Sequence, residues 1–272
     1  MFGSSGFRFP LRRLARLALI AAVSLVVPSA FADTLVVAPD RDNTLYERAA
    51  GDLSNGAGPS LFFGRTGGNA GNVRRRALMR FDLSSIPPGS VVNSVQLTLE
   101  VDLVPPGATG FDVALHRVLA DWGEGASVAQ GAGGAGAPAV APDATWLHRE
   151  FDSVFWATPG GDFAAAPTST APVGSGTGPV TFVTAPGLVG DVQAWVNDPG
   201  QNFGWILIGE ESNPQNARRI GSRENAALAP QLVVDFEPLV LPEAEPVPAM
   251  RGWGIALLVL AVAILALRLR RS

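Results

Sequence analysis

The sequence predicts an all-β body, a β-sandwich of jelly-roll type with one short helix. Three observations carry this. Residues 93–103 alternate strictly, with Val95, Leu97, Leu99, Val101 and Leu103 against Ser94, Gln96, Thr98, Glu100 and Asp102. A period of two sustained over a whole strand means one buried face and one wet face. The chain holds 31 glycines and 22 prolines, the turn chemistry of many short connections. Only residues 187–198 show apolar spacing near a helical period, through Leu188, Val192, Trp195 and Val196, and Asn197-Asp198-Pro199-Gly200 ends that run.

Taken in order, the chain opens on a basic stretch (Arg8, Arg12, Arg13, Arg16), an apolar run over 17–27, and Ala30-Phe31-Ala32. This is the build of a secretory signal helix over 1–32, with Ala30 and Ala32 as the small residues of the cleavage site before Asp33. In the body, residues 33–238, Ala77, Met79 and Phe81 share one strand face, and Ser84-Ser85-Ile86-Pro87-Pro88-Gly89 turns the chain into the strand over 93–103. Phe111, Val113 and Leu115 mark the next strand, and Leu232, Val234 and Phe236 the last. Residues 203–209 are apolar on both faces, which suits mid-sheet, with Trp205 and Trp195 as core. The Gly/Ala/Pro-rich segments 123–142 and 164–179 read as mobile surface loops. Residues 239–246, with Pro242 and Pro246 between acids, form an extended spacer.

The tail, 247–272, has three parts. Val247-Pro248-Ala249-Met250 and Trp253-Gly254 precede an apolar run, and Arg268, Arg270 and Arg271 close it as a membrane stop. Its uncharged stretch 252–267, at about 1.5 Å per residue, spans roughly 24 Å and could serve as a transmembrane helix in a thinned bilayer. The layout resembles the IPTL-CTERM class of bacterial sorting signals, with Val247–Met250 in place of Ile-Pro-Thr-Leu. That resemblance implies a processing membrane protease of the exosortase type as partner and display at the cell envelope or outside the cell.

Charge is segregated. The body holds 22 acidic residues against 12 arginines, leaving −10, while each end carries four arginines. An acidic body argues against nucleic acid as a partner. There is no cysteine, so disulfides and metal–thiolate sites are excluded, and all 20 basic residues are arginine.

The run from Arg74-Arg75-Arg76-Ala77-Leu78-Met79-Arg80-Phe81-Asp82-Leu83-Ser84-Ser85-Ile86-Pro87 to Val95-Gln96-Leu97-Thr98-Leu99 resembles the DNRLRE, or disaggregatase-related, domain. Further pieces follow in that family's order: residues 116–125 around Asp121-Trp122, 144–149, 156–163, the 189–197 helix, Ile220-Gly221-Ser222-Arg223-Glu224 and Pro230-Gln231-Leu232. The resemblance covers nearly all of residues 33–237, and 126–142 departs from it as a long insertion. It implies a non-catalytic extracellular β-sandwich that binds polysaccharide, with acidic glycans among the ligands of some relatives. Other relatives are structural surface repeats without a small ligand.

Catalytic signals are thin. Two histidines, His116 and His148, stand without a paired-His metal motif or a Ser-His-Asp arrangement. Trp122, Trp146 and Trp156 are the candidate stacking surfaces for a glycan, with Arg149 to pair a uronate carboxylate; as an alternative, they anchor core and loops. Arg74-Arg75-Arg76 reads as a solvated sheet edge. Asp40, Asp42 and Asn43 alternate oxygen ligands as a candidate Ca²⁺ site, and a turn closed by Asp and Asn explains them as well.

Overall fold

The computed structural model describes residues 32–239 and 253–270. The signal segment 1–31 with Ala30, the spacer, Val247–Met250 and Arg271 lie outside the described residues. The chain divides into two compact units, one of them the body, Ala30–Leu241.

The body is all-β and sandwich-like. Its strands are β1 (Asp33–Val37), β2 (Arg41–Tyr46), β3 (Leu53–Ser54), β4 (Ser60–Arg65), β5 (Arg74–Arg80), β6 (Val91–Leu103), β7 (Phe111–Arg117), β8 (Ala137–Pro138), β9 (His148–Glu150), β10 (Val154–Phe155), β11 (Ser169–Val173), β12 (Gly178–Phe182), β13 (Trp205–Ile208), β14 (Arg218–Gly221) and β15 (Gln231–Glu237). One helix, α1 (Pro186–Asn197), lies between β12 and β13. The main path runs β1-β15-β6-β14-β4-β5-β13-β7-β11, with β12 on β6 and β2 on β5, and each of these pairings is antiparallel.

Strand β4 turns this path from one layer to the other. It pairs with β14 through Ser60–Phe63 and with β5 through Gly64 and Arg65. Gly64 has φ +95°, and a Cβ there would stand 2.6 Å from the Asn216 carbonyl oxygen. Only glycine accepts that corner without strain.

Between the layers lies the larger core. Val95, Leu97 and Leu99 of β6 and Leu232 and Val234 of β15 meet Ala77, Met79, Val113, Leu115 and Trp205 from the other layer. Val95, Leu97, Leu99 and Val101 of the alternating set are buried, as is Val92, whereas Leu103 at the strand's end is exposed. Helix α1 adds Leu188, Val192, Trp195 and Val196 to this core, and Trp195 packs on Trp205 with ring centroids 4.6 Å apart.

The outer face of the β2-β5-β13 layer is apolar too. Leu45, Leu78 and Ile206 there support a second cluster with Val118, Trp122, Ala144, Trp146 and Trp156. The chain over 119–163 forms that cover, so its Gly-rich part is not a surface loop. It is held by β8 pairing with β3 and by buried Ser127, Ala129 and Asp143. Likewise, five residues of the expected loop at 164–179 form strand β11, paired along β7.

The second unit holds α2 (Trp253–Leu269), 17 residues with Arg268 in its last turn. Val259, Leu260, Val262, Ile264 and Leu267 on it are exposed. Among the described residues no helix is long and apolar enough to cross a membrane.

Candidate functional site

The three tryptophans read as glycan platforms are buried. Trp122 is 1% exposed, Trp146 5% and Trp156 4%. The Trp122 indole N–H donates to the Phe203 carbonyl at 2.9 Å, and that of Trp156 to the Thr145 carbonyl at 3.0 Å. Their faces are taken by the protein's own cations: the Arg41 guanidinium lies 5.2 Å from the Trp122 ring centre, and those of Arg74 and Arg76 lie 4.9 and 5.0 Å from Trp146. The cause is the two-sided layer beneath, whose outer apolar face needs large rings to cover it. Arg149 is half-buried and donates to the Asp121 carbonyl.

The arginine run is not a solvated edge. Strand β5 has partners on both sides, and Arg75 and Arg76 are buried. Arg76 makes a forked pair with Glu211, at 2.7 and 2.9 Å, and donates to the Gly160 carbonyl. His116 bonds the Ala164 carbonyl, and buried His148 lies within hydrogen-bonding distance of the Thr145 hydroxyl and the Gly51 carbonyl.

The candidate cation residues separate. Asp40 pairs with Arg80. The Asn43 carboxamide oxygen accepts from the Thr44 and Asn55 N–H groups and the Ser54 hydroxyl, and its amide donates to the Ala144 carbonyl. Strand alternation puts neighbours on opposite faces, so Asp42 and Asn43 cannot converge on one point.

Asp42 converges instead with Glu124 and Glu224. One carboxylate oxygen from each lies within 4.8 Å of the others. β2 supplies Asp42, the covering chain after β7 supplies Glu124, and the turn after β14 supplies Glu224. Arg223 links them: its backbone N–H donates to Asp42 Oδ2 at 2.7 Å, and its Nε lies 3.0 Å from both Glu124 Oε1 and Glu224 Oε1. The Asp42 N–H donates to Glu124. Asp42 is fully buried, and its Oδ1 has no hydrogen-bond partner. Burial pushes the Asp42 carboxyl well above its ordinary range and the Glu124 carboxyl up as well. The carboxylate of Glu124 in turn holds Arg223 above the ordinary arginine value. Sequence reading found Asp42 but not its partners, because 82 and 182 positions separate them from it (124 − 42 and 224 − 42), and no local spacing encodes that meeting.

Of the cavities on the body, two bear on ligand binding. One of about 590 Å³ is lined in part by Asp40, Arg80, Asp82, Trp195 and Asn202. The other, about 390 Å³, has walls of Phe62, Leu103, Val104, Pro105 and Pro106 beside Arg75, Arg218 and Arg219. Arg219 is paired with Asp102. Arg75 and Arg218 have no carboxylate partner among the described residues: Arg75 stacks on Tyr46 and Arg218 on Phe111, both donate to backbone carbonyls, and the Nε of each is unpartnered. Burial lowers the pKa of both. No family model matches the chain, and no curated protein is similar to it.

Proposed function

We propose that this protein is a non-catalytic structural module of the cell envelope, a jelly-roll body of the DNRLRE type exported by a cleaved signal and held by its tail. The observation that carries the reading is the internal use of the rings and arginines suited to glycan binding. Trp122, Trp146 and Trp156 are covered, and their arginine neighbours are spent on carbonyls, carboxylates and those same rings. A screen of the purified protein against uronic-acid and neutral polysaccharides should give no saturable binding. Saturable binding would overturn the structural reading.

A second reading, a module for acidic polysaccharide, is favoured by the cavity beside Arg75 and Arg218. Two guanidinium groups without acidic partners suit a carboxylated ligand, and the Phe62 and proline walls suit the apolar face of a sugar ring. On that reading, binding falls when Arg75 or Arg218 is changed to Gln in a variant that still folds, and is unaffected by changes at Arg149.

The anchoring part of the proposal rests on the tail. α2 carries exposed aliphatic side chains along its length, and arginine closes it. At about 1.5 Å per residue it is roughly 25 Å long, short of an average hydrocarbon core of about 30 Å, so the anchor relies on local thinning and on snorkelling arginines. Removing residues 247–272 should release the body from the membrane fraction. Continued membrane association would sink the anchor.

A further inference from the structure

We infer that Asp42, Glu124 and Glu224 form a Ca²⁺ site that ties three distant segments of the body together. The first support is convergence: three carboxylates from β2, the covering chain and the turn after β14 bring oxygens within 4.8 Å of one another. The second is independent of that cluster. Asp42 is fully buried, and its Oδ1 has no hydrogen-bond partner. A buried carboxylate oxygen without a donor is costly, and a cation at the convergence point supplies what it lacks.

Charge arithmetic points the same way. Three ionised carboxylates against the single Arg223 guanidinium leave −2, which one divalent cation balances. Arg223 already engages Glu124 and Glu224 from one side through Nε. It holds those two glutamates in place without reaching the orphaned Asp42 oxygen.

The donor set selects the ion. All three side chains offer hard oxygen, with no imidazole, and the chain has no thiol. That set excludes zinc-type chemistry and favours Ca²⁺ or Mg²⁺. Ca²⁺ tolerates irregular geometry and fills its remaining positions with carbonyls and water, whereas Mg²⁺ demands near-ideal octahedral geometry. Ligands fixed by three separate segments suit the more tolerant ion. Asp42 is thus shared with the site expected from sequence, while Glu124 and Glu224 replace Asp40 and Asn43.

The site is independent of whether a polysaccharide binds, and it is tested on the full chain in detergent after EDTA treatment. Calorimetric titration with CaCl₂ should show one saturable site, and added Ca²⁺ should raise the melting temperature. Glu224→Gln removes a ligand at a partly exposed turn, where folding is not at stake, and should weaken Ca²⁺ binding by about tenfold or more. Asp42→Asn should abolish binding; where that variant fails to fold, Glu224→Gln decides. Failure of the folded wild-type chain to bind Ca²⁺, or unchanged affinity in Glu224→Gln, would overturn the site. Equal affinity for Mg²⁺ would overturn the choice of ion.

Discussion

All 20 basic residues of the chain are arginine, and Arg75, Arg76 and Arg218 are buried in the body. Arg76 is the clearest case. Its guanidinium pairs both oxygens of Glu211, donates to the Gly160 carbonyl, and lies 5.0 Å from the Trp146 ring centre and 5.3 Å from that of Phe163. Its side chain is 10% exposed and that of Glu211 18%, so solvent screens the pair little. Removing one partner of such a pair leaves a charge and a carbonyl without donors. Arg76→Ala should therefore cost about 3 kcal/mol of unfolding free energy. Arg76→Lys should recover only part of that, since an ammonium cannot reproduce the fork or the stacking. Urea unfolding of the two variants measures both. A loss under about 1 kcal/mol for Arg76→Ala would place the pair in the class of exposed surface bridges.

At the scale of elements, the sequence was legible where apolar residues mark the buried faces. The 93–103 alternation maps onto β6, whose buried set includes Val95, Leu97, Leu99 and Val101. The helix expected over 187–198 is α1, Pro186–Asn197. Residues 203–209 sit mid-sheet as β13, between β5 and β7. Legibility failed where a covered face carries polar or charged residues. β2 reads Arg-Asp-Asn-Thr-Leu-Tyr and is buried from Asp42 to Tyr46, with hydrogen bonds inside the fold satisfying Asn43 and Thr44 while Asp42 Oδ1 stays unpartnered. Arg74-Arg75-Arg76 looked like an edge for the same reason: charge signals solvent until a second layer supplies rings and carbonyls. For Trp122, Trp146 and Trp156 the sequence supports a glycan surface and a core anchor alike, because the Gly/Ala-rich chain around them has no periodicity; the structure takes the second. Of the candidate site, Asp42 was visible in the sequence and its two glutamate partners were not, since their meeting depends on tertiary folding alone.

The whole molecule is better described as a two-layer core with an added cover than as a sandwich with long loops, and the cover makes a testable demand. Segment 127–136 contains four glycines and has the composition of a loop. If it were one, replacing it with a short Gly-Ser bridge would be nearly neutral, since halving a loop changes closure entropy by only about 0.6 kcal/mol. Its contacts argue otherwise. The Ser127 hydroxyl accepts from the Gly56 N–H at 3.0 Å, and the Ser127 carbonyl from the Ala57 N–H at 2.9 Å. The Ala129 N–H donates to Asn55 Oδ1 at 2.8 Å, and the Gly133 carbonyl accepts the Tyr46 hydroxyl at 2.9 Å. Tyr46, Asn55 and Gly56 are buried, so excision strands three buried polar groups at about 1–3 kcal/mol each. The expected loss is about 3–9 kcal/mol, a large part of the ~5–15 kcal/mol that holds a typical domain folded. The excised chain should unfold at markedly lower urea and expose the Tyr46 phenol to solvent, and unchanged stability would mean that the cover is a loop after all.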